Sequence, residues 1–125
     1  MNRTEHYLVA DEVTKGIYEA YPELAERYGE EGKKKCYEDN LYHMRYLDTA
    51  LLQNDVDVFV DYALWLNRIL TARGMKAEHL IDNFERIAAA IPGKLPPEQA
   101  TPFATYLSAA NRALRETEQG GGGAV

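Results

Sequence analysis

The 125 residues, 46% of them hydrophobic, are enough for one domain with its own core and too few for two. Fourteen Lys and Arg against twenty Asp and Glu leave a net charge of -6 and a pI near 5.0, which argues against a nucleic-acid-binding surface. No apolar run approaches the length of a membrane span, and the polar start MNRTEHY has neither a secretory nor a transit-peptide pattern, so a cytoplasmic protein without membrane contact is expected.

Between Thr4 and Tyr28 the residues Leu8, Val9, Val13, Ile17, Tyr18 and Tyr21 recur at helical spacing and Pro22 marks a break, which predicts two helices. Gly29 and Gly32 bracket a short turn. After it Cys36, Asn40, His43, Leu47, Ala50 and Leu51 keep helical spacing as far as Asn54, predicting a long helix. Asp55 or Asp57 caps the next helix, whose Val58, Phe59, Tyr62, Leu66, Ile69 and Leu70 run to a stop at Arg73-Gly74. A further helix spans Ala77 to Ile91 with Leu80, Ile81, Phe84, Ile87 and Ala88 inward, and ends at Pro92-Gly93. The last starts near Pro97 or Thr101-Pro102 and carries Phe103, Tyr106, Leu107, Ala110 and Leu114. No stretch alternates as a strand would, and there is no internal repeat. The expected fold is all-α and globin-like, a single domain of about six short crossed helices over residues 1–119, with a flexible Gly-rich tail over residues 120–125.

The single cysteine, Cys36, excludes an internal disulfide and a cysteine-rich zinc site; it is either a small buried hydrophobe or a reactive thiol. Helical rotation places Cys36, Asp39, Asn40, His43 and Leu47 within one inward stripe roughly 100° wide. For an arbitrary helix the plainer reading is that Asp39 and His43, one turn apart, form a local structural pair beside a buried Cys. Asn40, not an acid, stands three residues before His43, so a di-metal carboxylate site is not supported, and zinc would lack two ligands. The cysteine lies within a helix without a Gly-rich elbow, which leaves hydrolytic catalysis unsupported. Lys33, Lys34 and Lys35, together with the positive end of a helix starting there, favour a Cys36 thiolate; the alternative is a solvated charged helix end.

These residues carry a resemblance. Gly32-Lys33-Lys34-Lys35-Cys36-Tyr37-Glu38-Asp39, followed by Tyr42-His43-Met44-Arg45-Tyr46, Ala50 and Asp55, is similar to the chromophore-binding helix of the phycobiliproteins, in which Cys, Asp and Arg recur at this spacing. Ile17-Tyr18-Glu19-Ala20-Tyr21-Pro22 resembles the aromatic-Pro segment before that helix, and Tyr106-Leu107 to Leu114 the closing helix, so the likeness covers nearly the whole chain. The chain starts close to the first globin helix, without the N-terminal helical hairpin that builds antenna rings. It therefore looks most like the bilin-biosynthesis-associated globins, bacterial relatives of the antenna proteins, and more distantly like the non-haem globin domains of stressosome-type regulators. Glu38 stands where the family usually has Arg, His43 at a usual Tyr, and His79 near a frequent Trp.

The resemblance implies a non-enzymatic protein that binds a bilin, phycocyanobilin or a biliverdin-like linear tetrapyrrole, reversibly or through a thioether at Cys36, for storage, delivery or sensing. Asp39 matches the carboxylate that accepts from the pyrrole nitrogens and raises the pigment's pKa. Arg45 and one or more of Lys33, Lys34 and Lys35 would meet the propionates. Tyr42, Tyr62, Trp65 and Phe59 would form aromatic walls, although Tyr62, Phe59 and Trp65 are also at core spacing. His43 would donate to a ring carbonyl or fill space beside Asp39. His79 is a further candidate, with a surface position near a helix start as its plainer reading. Bilin-biosynthesis enzymes or a lyase are the implied partners, and a homodimer the implied assembly. Haem is the rival ligand, but no His lies between Asp55 and Gly74, where an ordinary proximal ligand belongs. A ligand-free regulatory or scaffold globin is the alternative from another functional class.

Overall fold

The computed structural model describes residues 3–123, with side chains described for 4–117. Five helices follow in order: α1 (Arg3–Ala20), α2 (Pro22–Gln53), α3 (Val56–Ala72), α4 (Ala77–Ala90) and α5 (Pro97–Gly123). Among the described residues there is no β-strand, and no helix is long and apolar enough to cross a membrane.

Each boundary has a local cause. Tyr21 leaves the helical region (φ -126°, ψ 74°) ahead of Pro22, whose ring suits the first helical position but crowds the residue before it. Asn54, left-handed at φ 51°, closes α2 by donating to Ala50 and Leu51 carbonyls. Asp55 then caps α3, its carboxylate accepting from the Asp57 amide at 3.0 Å. Gly74 (φ 93°) and Gly93 (φ 89°) supply the left-handed turns after α3 and α4.

Six helices were expected; among the described residues there are five, one of which, α2, consists of two helical arms joined at Gly29. The expected turn from Gly29 to Gly32 contracts to a kink at Gly29 alone (φ 63°, ψ -157°), so α2 has a short arm, residues 22–28, and a long arm, residues 30–53. Gly32 is helical, and is needed for another reason. A Cβ there would run into the Cβ of Tyr28 and lie 2.9 Å from the Tyr18 hydroxyl, so its bareness lets α1 and the short arm close on the long arm. α4 ends one residue short of the expected Ile91, and α5 starts at Pro97 with Pro102 inside it, where the missing amide costs one early helical bond. α5 runs on through Gly123, covering glycines expected in the tail; Ala124 and Val125 lie outside the described residues.

The apolar stripes meet in one core. Val9, Val13 and Ile17 of α1 share this core with Met44 and Leu47 of α2, while α4 packs on α1 and α5, and α3 packs on α5 and α2. At its centre Phe59 and Phe84, both fully buried, meet in a tilted arrangement at 5.2 Å between ring centroids. Each such ring contributes about 1.5–3 kcal/mol by leaving water. A polar lock crosses this core beside the site. Asn83 of α4 donates to Asn40 Oδ1 at 2.6 Å, and the Asn40 amide nitrogen donates at 3.2 Å to Asn83 Oδ1, to Thr14 of α1 and to the Cys36 carbonyl. Three helices are thereby held in register by groups that would be costly to bury unpaired.

Candidate functional site

The long arm of α2 presents Gly32, Lys35, Cys36, Asp39 and His43 along one face. Spacings of three and four residues stack them over about 16 Å of helix axis. They form one wall of a cavity of about 180 Å³. Ile17 and Tyr18 of α1, with Leu24 and Tyr28 of the short arm, make the second wall; Leu70 and Arg73 at the end of α3, then Met75, His79, Leu80 and Asn83, complete it. The lining is mainly apolar, with polar groups set at a few places, as in small-molecule sites.

Cys36, Asp39, His43, Lys35 and His79 are thus brought together, although they come from two helices and stand up to 44 residues apart in sequence. Lys33, Arg45, Tyr42, Tyr62 and Phe59 do not line this cavity. Arg45 is nine residues from Cys36, half a revolution around α2, and its guanidinium lies over the exposed Tyr42 ring at 5.3 Å. Lys33 turns toward a surface hollow shared with Lys15 and Glu19. Phe59 is core. Trp65, also expected in the walls, is 51% exposed. Tyr62 sits behind His43 and hydrogen-bonds to its Nδ1 at 2.7 Å. The aromatic walls come instead from Tyr18 and Tyr28, and the second cation is Arg73. Sequence reasoning passed over these three because one arm folds back at Gly29 and the α3–α4 turn approaches α2 from outside, contacts that no local period encodes.

The electrostatics follow from burial. The Cys36 thiol is pushed up to about 11 by desolvation, a hydrogen bond from Thr14 acting the other way and the Asp39 charge adding to the rise. The expected thiolate is therefore corrected to a thiol. α2 does not start at Lys33 but continues from the kink, so Cys36 is not in a first turn, and Lys33 and Lys34 point elsewhere. Asp39 is raised above the usual carboxylate range by its own burial, held back by Lys35 and then Arg73, with Glu38 adding to the rise. No described residue hydrogen-bonds or ion-pairs with it. His43, 2% exposed, is pushed down to about 3 by desolvation and is a neutral imidazole at physiological pH. The Tyr62 phenol is raised well above its usual value, chiefly by burial.

His79 has a helix-capping duty, its Nδ1 accepting from the Lys76 amide at 3.2 Å, while its ring meets Tyr21 edge-on at 4.8 Å. The α4 start is accordingly both where the sequence places His79 and part of the cavity rim. Among the described residues no three His, Cys, Asp or Glu side chains gather as a metal site requires.

Comparison with protein families, curated proteins and solved structures finds no match to this chain. Chemistry of the cavity therefore carries the functional reading. It offers an apolar cleft, a neutral imidazole, a protonated thiol, an unpaired carboxylate within one turn of both, and two cations at the rim.

Proposed function

We propose that the protein is a globin-like, non-enzymatic binder of a linear tetrapyrrole, for storage, delivery or sensing. One observation carries this: Asp39, a half-buried carboxylate with no hydrogen-bond partner among the described residues, stands one turn from the Cys36 thiol inside a mainly apolar cavity. A carboxylate desolvated without a partner costs stability, and a flat apolar ligand carrying clustered N–H groups offsets that cost. The cavity's volume sets the mode of binding. About 180 Å³ is below the roughly 300–1,000 Å³ of sites that enclose drug-sized ligands. One end of the pigment enters, and the rest leaves past the rim, where Lys35 and Arg73 replace Lys33 and Arg45 as partners for its propionates. With Cys36 held as a thiol, binding is reversible unless an enzyme assists attachment.

Co-expression with a haem oxygenase and a bilin reductase tests this. A coloured protein is expected, and zinc-enhanced fluorescence after denaturing electrophoresis would mark any covalent fraction. A colourless product whose mixture with free biliverdin or phycocyanobilin shows no spectral change would refute it. In the coloured protein Asp39→Asn lowers the pigment's pKa and bleaches or blue-shifts it. The small volume also favours a second reading, a scaffold globin working through protein contacts, for which the exposed Tyr42, Tyr46 and Trp65 are the available surface. That reading predicts the colourless outcome.

A further inference from the structure

A second hollow, of about 480 Å³, shares no lining residue with the cavity on α2. Asn67 and Thr71 of α3, Lys76, Ala77 and Glu78 at the start of α4, and Thr117 of α5 surround it. α4 opens here without a side-chain acceptor for its first amides. Its N-cap is Lys76, whose ammonium can only donate. The Lys76 amide is spent on His79 Nδ1 at 3.2 Å, and the His79 amide on the Lys76 carbonyl at 3.0 Å. The amides of Ala77 and Glu78 have no acceptor among the described residues, although Ala77 is buried. Both stand at the positive end of the helix dipole, which favours a negative charge.

Asn67 points to the same conclusion independently. It is 9% exposed, yet neither end of its side-chain amide has a partner among the described residues. Oδ1 is fully covered; Nδ2 is not, and the hollow is where Asn67 meets open space. A buried amide that keeps an unanswered donor on a hollow costs stability until something accepts from it. Thr71, one turn on, spends its hydroxyl proton on the Asn67 carbonyl at 2.8 Å and adds no donor. The Thr117 hydroxyl and the Lys76 ammonium do. Lys76 is exposed and reaches the Glu78 carboxylate only at 3.9 Å, so it can swing inward.

We propose that this hollow binds a phosphoryl group, carried by inorganic phosphate or a phosphomonoester. Its donors come from three helices: a side-chain amide from α3, two backbone amides and an ammonium from the start of α4, and a hydroxyl from α5. Such a set surrounds a tetrahedral anion, whereas a planar carboxylate would meet only part of it. Water can answer each donor singly; a phosphoryl group answers several at once and neutralises Lys76. Glu78 brings the opposing charge to the lining. The site is independent of the pigment reading and survives its failure.

Titration at fixed ionic strength, followed by 1H–15N spectra, tests it with inorganic phosphate and with glycerol 3-phosphate. Both should move the Ala77 and Glu78 backbone amides and the Asn67 side-chain amide saturably, whereas acetate should leave them in place. Glycerol 3-phosphate binding severalfold tighter than phosphate assigns the hollow to a phosphomonoester; equal or weaker binding assigns it to free phosphate. Asn67→Leu should weaken phosphate binding at least about tenfold, the loss of a hydrogen bond to a charged group. Lys76→Met should weaken it about fivefold, since an exposed ammonium contributes less. Glu78→Gln keeps the backbone amide, removes the opposing charge and should strengthen binding severalfold. Lys76 and Glu78 are exposed, so their variants fold whatever becomes of Asn67→Leu. No saturable movement of the Ala77 and Glu78 amides up to about 20 mM phosphate, equal movement with acetate, or unchanged binding in Lys76→Met overturns the proposal.

Discussion

Reaction of Cys36 with a small aromatic disulfide is the most direct probe of the site's electrostatics. Burial raises its thiol from 9.0 to about 11. At pH 8 the thiolate fraction is then about 0.1% in the native protein, against about 9% in the unfolded chain, a factor of roughly 90. A thiolate of higher pKa is intrinsically more nucleophilic, by about eightfold for a two-unit rise, so the native rate constant should be about tenfold below that of the urea-unfolded chain. The pH profile separates this from simple hindrance. Native reactivity should climb about tenfold per pH unit up to about pH 10 and level off only above about pH 11, whereas the unfolded chain levels off above pH 9. The same ionisation is linked to stability. Below pH 9 neither state is ionised and the contribution is fully present; between pH 9 and about 11 the unfolded chain loses a proton that native Cys36 keeps, and up to about 2.7 kcal/mol is lost. A native profile that levels off by pH 8 would show that Lys33–Lys35 activate the thiol after all, and would refute the burial argument.

Two further outcomes are expected. Native His43 ionises near pH 3 against the usual 6.5, so stability is whole above pH 6.5 and falls as the unfolded chain takes up the proton; the loss reaches about 2 kcal/mol at pH 5. The His43 ring resonances should stay at their neutral positions down to pH 4, and a shift centred near pH 6 would contradict its burial. Gly32→Ala should lower Tm: the usual helical gain of about 1 kcal/mol is outweighed by about 1–3 kcal/mol of crowding against Tyr28 and Tyr18. A raised Tm would show that the short arm does not lie against the long arm.

What the sequence by itself determined is what a helix determines locally. Val9, Val13 and Ile17 share a stripe because 3.6 residues make a turn, and Pro22, Asn54-Asp55, Gly74 and Gly93 end helices through their own backbone preferences. Cys36, Asp39 and His43 could be set on one face for the same reason, and that face does line the cavity. Helical rotation also separates Arg45 from that face, yet the motif's spacing grouped the two, and the rotation was the better guide. Tertiary structure alone decided what faces this wall. Tyr18, Tyr28 and Arg73 arrive through the fold at Gly29 and the approach of the α3–α4 turn, and Tyr62 reaches His43 from another helix. The protonation states belong to that second class too. Cys36 is a thiol and His43 a neutral imidazole because of how much protein surrounds them, and the depth of burial is a sum over distant segments that no residue's neighbours in sequence specify.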